Sequence, residues 1–205
     1  PVMPAPVLIL ASASASRRQL LANAGLSFSI EPSGIDEDEI KRSLLGESAA
    51  PQDVAETLAE LKATRVSARN EKALVIGADS TLACNGRQFD KPPTLEAARQ
   101  QLLTLGGQTH ELFSSVVVAR DGVRLWHWNE RARLTMRPLT ESFLDAYLAR
   151  AGEPVTTSVG AYQLESLGAH LFSRVDGDYF TILGLPLLPL LSFLSGHGIG
   201  LEQAT

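Results

Sequence analysis

The chain of 205 residues holds one cysteine, Cys84. No internal disulfide can form and no cluster of thiolate metal ligands exists, which fits a reducing cytoplasm. Its four histidines, His110, His127, His170 and His197, are scattered without zinc-ligand spacing, and HExxH is absent. They read as structural or surface residues. The Walker pattern GxxxxGK[ST] is missing as well. Basic residues are outnumbered, 18 Lys and Arg against 23 Asp and Glu, for a net charge of -5. With no extended basic stripe, no nucleic-acid partner is expected, and any phosphate chemistry needs a local basic pocket. Long apolar runs are lacking too. LGLPLLPLLSFL is shorter than a membrane span and broken by Pro186 and Pro189, and the short apolar run before Arg17 and Arg18 lacks the order of a secretory signal. A soluble protein is expected. What remains is ordinary globular composition, 44% hydrophobic and 20% charged, enough for a single unit over residues 1–205.

Val7 to Ala11 reads as a buried strand, followed from Ser14 by helical spacing that Gly25 closes as a left-handed cap. Ser27 to Ile30 alternates as a second strand, and GIDEDEI follows as an acidic loop. Pro51 to Arg69 predicts a long amphipathic helix with Val54, Leu58, Leu61 and Ala68 on its apolar side. Ala73 to Ala83 predicts a buried strand, with a hairpin at Asn85-Gly86 leading to Lys91-Pro92; Thr94 caps a helix through Leu103. Strands from His110 to Ala119 and from Val123 to Thr135 join at Asp121-Gly122, and Thr140 opens a helix through Arg150. Gly160 to Glu165, His170 to Val175 and Tyr179 to Leu183 read as short extended pieces, and Pro186 opens a final helix. The irregular alternation gives an α/β class with a mixed sheet.

Three places can carry chemistry. At the first strand-to-helix turn, Ser12, Ser14 and Ser16 precede Arg17 and Arg18; hydroxyls, guanidinium groups and the helix-start N–H groups are all phosphate-oxygen donors. The alternative is a serine cap with solvated arginines. Asp79 ends the apolar run ALVIGA, a strand-end position that suits a catalytic carboxylate and equally suits a turn former. Glu37, Lys62 and Lys91 keep it company: two carboxylates can share a hard cation, and two lysines can neutralise phosphate. Residues 36–39 are adjacent rather than spaced as a calcium loop, so a solvated acidic loop is the plain reading. Lastly, Gly160 and Gly168 bracket Tyr162 and Glu165 in a loop able to approach a ligand, or to make two ordinary turns.

Together these segments carry a resemblance. LILASASASRRQLL, GIDE, ELKA, GADS, DKP, GAYQLE with SLGAHLF, and GLPLL occur in order along nearly the whole chain, and the sequence resembles the Maf family of nucleotide pyrophosphatases. The resemblance implies an elongated two-lobed fold like that of inosine triphosphate pyrophosphatase, with the active cleft between lobes. It also implies a cytoplasmic enzyme, often a homodimer, that splits a nucleoside triphosphate into monophosphate and pyrophosphate. On this chain it makes Asp79 the general base, Ser14, Arg17, Lys62 and Lys91 phosphate or nucleotide contacts, and Glu37 a metal carboxylate that with Asp79 holds Mg²⁺ or Mn²⁺. Ser16, Ser80 and Glu165 stand where the family distinguishes substrates. The dTTP and UTP group has arginine, threonine and glutamine there, and the 7-methyl-GTP group has glutamate at the third. Glu165 and the lack of arginine at Ser16 lean to 7-methyl-GTP, since a carboxylate accepts from a guanine edge and complements its methylation charge. Competing readings are a dTTP/UTP pyrophosphatase, a nucleotide-binding division regulator with vestigial hydrolysis, and a sugar-phosphate phosphatase.

Overall fold

The computed structural model describes residues 4–202. In chain order its elements are β1 (Leu8–Leu10), α1 (Ala15–Asn23), β2 (Ser29–Ile30), α2 (Glu37–Gly46), α3 (Pro51–Ser67), β3 (Leu74–Cys84), β4 (Arg87–Phe89), α4 (Leu95–Leu105), β5 (Thr109–Arg120), β6 (Val123–Met136), α5 (Glu141–Ala151), β7 (Phe172–Asp176), α6 (Tyr179–Ile182) and α7 (Leu187–Ser195), with 3-10 turns at Glu153–Thr157 and Leu167–Leu171. The seven strands form one mixed sheet in the order β2-β1-β3-β5-β6-β7, with β4 paired to β3. β1 runs parallel to β2 and β3, while β4 is antiparallel to β3 and β7 to β6.

Local chemistry accounts for most of these elements. Ser14, Thr94 and Thr140 accept from the N–H three residues on, capping α1, α4 and α5. Gly25, with φ 79°, ends α1 in a Schellman arrangement, Leu26 N donating to Leu21 O. Asn85-Gly86 and Asp121-Gly122 both hold positive φ, the requirement of the two-residue hairpin turn that joins β3 to β4 and β5 to β6.

Three sequence expectations are corrected. GIDEDEI is not a loop: Asp36 caps α2 by accepting from Glu39 N, and Glu37, Asp38 and Glu39 form its first turn, where the helix dipole favours anions. Tyr179 to Leu183 is not extended, because Asp178 caps the turn of α6 by accepting from Thr181 N. Gly160 to Glu165 forms no strand, and the extended piece after it is β7, beginning at Phe172.

Two compact units divide the described residues, one comprising residues 4–79, 114–130 and 184–202, the other residues 80–113 and 131–183. In the first, α3 buries Val54, Ala55, Leu58, Ala59, Lys62, Ala63, Val66 and Ser67, whereas Leu61 and Ala68 face outward, contrary to the sequence reading. The apolar stripe therefore includes a lysine. The second unit has a core of Leu82, Phe89, Leu102, Leu105, Leu134, Met136, Leu144 and Leu171 with the aromatic side chains of Tyr147 and Tyr162.

Candidate active site

The tightest feature of the first unit is the approach of α3 to β3. A Cβ on Gly77 would lie 2.2 Å from Ala59 O and 2.8 Å from Ala63 N, so only glycine permits this packing. The approach seats Lys62, one residue before Ala63, beside Asp79, two residues after Gly77. Lys62 Nζ donates to Ala78 O and to Asp79 Oδ1, each at 3.2 Å, and lies 2.9 Å from Glu37 Oε1. Lys62 and Asp79 are buried, and Glu37, on the first turn of α2, is partly exposed. Asp79 Oδ2 is buried with no hydrogen-bond partner among the described residues. An unpaired buried carboxylate oxygen is costly unless something else uses it.

Asp79 does not end its strand. It is the sixth residue of β3, beyond the stretch Leu74–Ile76 that pairs with β1 and before the stretch Leu82–Cys84 that pairs with β4. The strand expected over Ala73 to Ala83 is present, and the strand-end position that the apolar run suggested for Asp79 is not, because β3 continues through Ser80, Thr81 and Leu82 to the Asn85-Gly86 turn that folds β4 back on it.

At the start of α1, Ser14 N donates to Ser12 Oγ and Arg17 N to Ser14 Oγ. The two arginines part company: Arg17 is buried and Arg18 exposed. Arg17 Nε donates to Gly184 O at 2.7 Å, and Gly184 holds φ 111° with a would-be Cβ 3.4 Å from that nitrogen. Burial pulls the Arg17 guanidinium below its ordinary pKa, while the charges of Asp79 and Glu37 oppose the shift. Arg17, Lys62, Asp79 and Glu37 thus form one field of two cations and two anions. Ser16 is half-buried on the same first turn.

The remaining sequence candidates lie in the second unit. Lys91 is exposed in the loop after β4, where Gln101 Nε2 donates to the neighbouring Asp90 O at 2.6 Å. Ser80 is half-buried in β3, and Glu165 is exposed just after the tightly held residues 160–163. His110, read as structural or surface, is wholly buried on β5. Gly77 and Gly184 were not singled out from sequence. The visible signals were the Gly-Ala-Asp run after four apolar residues and the glycine between leucines in LGLPLL.

A mixed α/β protein that buries an arginine and a lysine among carboxylates, beside a serine-lined helix start, holds the groups that meet a small polyanion. The chain belongs to the Maf family: residues 7–197 match the family described as Maf-like protein. It is 55% identical over 190 residues to the nucleoside triphosphate pyrophosphatase of Paramagnetospirillum magneticum, covering 93% of this chain and 98% of that one. It is 50% identical over 187 residues to the 7-methyl-GTP pyrophosphatase of Brucella abortus, with 91% and 94% covered. To the protein of the same name from Rhizobium etli it is 51% identical over 193 residues, with 94% and 97% covered.

Proposed function

We propose that this chain hydrolyses a nucleoside triphosphate between its α and β phosphates, releasing the monophosphate and pyrophosphate. The observation that carries the reading is the clasp of Lys62 between Glu37 and Asp79, which holds Asp79 Oδ1 and leaves Oδ2 buried without a partner. Oδ2 is the atom for a general base: it takes a proton from the water that attacks the α-phosphorus, and the pyrophosphate leaves. Arg17, fixed through its Nε, and the Ser12 and Ser14 hydroxyls at the α1 start meet phosphate oxygens, and Lys62 offsets their charge.

Glu37, with Asp79 acting through the waters it holds so that Oδ2 stays basic, would hold a hard divalent cation, Mg²⁺ or Mn²⁺, because such ions accept one or two carboxylates and fill the rest of their shell with phosphate oxygens and water. No group of three or more His, Cys, Asp or Glu suited to a metal occurs among the described residues. When bound, the ion supplies charge neutralisation at the phosphates. For the base, 7-methyl-GTP is the proposed preference, supported by exposed Glu165 and by the names of the Brucella and Rhizobium relatives. Among the described residues no helix is long and apolar enough to cross a membrane.

The test is product analysis on 7-methyl-GTP, dTTP and UTP. Pyrophosphate is expected, turnover stops in EDTA, and Asp79→Asn lowers kcat by about 10²–10⁴ while nucleotide still binds. Orthophosphate as the first product, or Asp79→Asn within about tenfold of the parent kcat, overturns the reading. Should dTTP and UTP be the best substrates, the base preference alone falls.

A further inference from the structure

The segment before Glu165 is tied down residue by residue. Ala161 holds φ 62°, a backbone region that residues with a Cβ avoid, and its carbonyl accepts from Tyr147 Oη of α5 at 2.8 Å in a buried setting. Tyr162 Oη shares a 2.9 Å hydrogen bond with His110 Nε2 of β5, and its ring meets Phe172 edge-on at 4.8 Å. Gln163 Nε2 donates to Pro154 O at 2.6 Å and to Ser158 Oγ at 3.1 Å in the 3-10 turn region. Behind it, a Cβ on Gly168 would sit 2.4 Å from Gln163 O. Three consecutive residues are thus hydrogen-bonded to three different parts of the fold, α5, β5 and the 3-10 turn region. The chain then emerges, and Glu165 stands exposed two residues later.

This arrangement is not what an apolar core alone would select. His110 is fully buried, its Nδ1 has no hydrogen-bond partner among the described residues, and a phenylalanine would fill the same space without a polar atom to satisfy. A strained backbone residue adjoins Tyr162, the partner of an incompletely satisfied buried imidazole, four residues before an exposed carboxylate. Such violations gather where a fixed geometry is used.

We infer that His110, acting through Tyr162, is a positioning residue for base selection: the His110–Tyr162 hydrogen bond holds the 160–163 segment so that Glu165 is presented in one geometry to the edge of the nucleobase. The inference rests on the reading of Glu165 as the base-contacting group. A pre-oriented carboxylate discriminates because a guanine edge offers it two adjacent donors, N1–H and the exocyclic amine, whereas uracil offers only N3–H between two carbonyls and leaves one carboxylate oxygen facing an acceptor; a swinging carboxylate loses that discrimination.

The experiment compares the parent protein with His110→Phe, His110→Gln, Tyr162→Phe and Glu165→Gln. Each is scored by the ratio of kcat/KM for 7-methyl-GTP to that for UTP, with pyrophosphate as readout, and by amide exchange of residues 160–166. His110→Phe and Tyr162→Phe each lower the ratio by about tenfold, mostly through KM, and speed exchange in 160–166 without lowering the melting temperature comparably. His110→Gln retains a side-chain donor and recovers most of the ratio. The His110→Phe, Tyr162→Phe double variant is no worse than either single one, as for two ends of one bond. If Glu165→Gln shifts the ratio but His110→Phe does not, the positioning role is overturned while the base reading stands. If Glu165→Gln leaves the ratio unchanged, the base reading is wrong and the inference falls with it.

Discussion

In the first unit the buried polar side chains include ions, Arg17, Lys62 and Asp79, with Glu37 at the edge; in the second they are neutral, His110, Tyr147 and Tyr162 among them. Every charged residue of the buried set belongs to the first unit. Buried ions are expensive and are kept where their charge is used, whereas neutral donors and acceptors give direction at smaller cost. The contrast separates a place that handles charge from a segment that is merely held still. It also predicts how each responds to mutation and to acid.

The largest effect falls on the charged side. Lys62→Met preserves the apolar stem and removes the ammonium, leaving Asp79 buried with neither oxygen paired by it. The loss expected for breaking a buried ion pair is about 3–5 kcal/mol, read from urea unfolding. Adding Asp79→Asn removes the stranded charge and restores most of that stability, although the double variant stays inactive. A Lys62→Met protein within about 1 kcal/mol of the parent would mean that solvent reaches Asp79 and that the clasp is a surface pair.

Acid separates the two units next. Burial lowers the His110 pKa from 6.5 to about 4, so the folded protein refuses a proton that the unfolded chain accepts. Between those values the unfolded state binds more protons, and stability falls as pH drops through the window; below about 4 both states are protonated and the loss is complete. At 1.36 kcal/mol per pKa unit the total is about 3 kcal/mol. His110→Gln cannot titrate. Its stability relative to the parent therefore improves by about that amount between pH 7 and pH 4, while carboxylate contributions common to both cancel. Parallel pH profiles for the two proteins would show that His110 is not desolvated in solution.

Sequence legibility follows the same division. The hairpins at Asn85-Gly86 and Asp121-Gly122, the Ser14, Thr94 and Thr140 caps and the Gly25 stop were readable because each is a local contract between a few adjacent residues. Helix α2 was missed although Asp36 and Glu39 stand at cap spacing, because four consecutive acids looked like solvated loop rather than a first turn facing a dipole. Lys62 was named through its company, yet its i+4 position after Leu58 already placed it on the buried stripe. Gly77 and the Tyr162–His110 pair were illegible for another reason. Their meaning depends on residues 14 or more positions away, and no periodicity encodes a contact of that kind.

The smallest effect sharpens the neutral side. Tyr147→Phe keeps the ring, which lies nearly parallel to Phe143 with centroids 6.2 Å apart, and removes only the hydroxyl that donates to Ala161 O. A neutral hydrogen bond contributes about 1 kcal/mol net, far below the charged pair around Lys62. The denaturation midpoint should shift by that amount with an unchanged m-value, since no new surface is exposed on unfolding. Burial raises the Tyr147 pKa to about 12, so the phenol stays neutral and the bond is present throughout the working pH range. The deficit of the variant should accordingly be the same at pH 7 and pH 9. A deficit of about 3 kcal/mol or more would mean that Ala161 O is left stranded rather than rehydrated. It would mark residues 160–163 as inseparable from the core, and not as a segment placed against it by a few polar contacts.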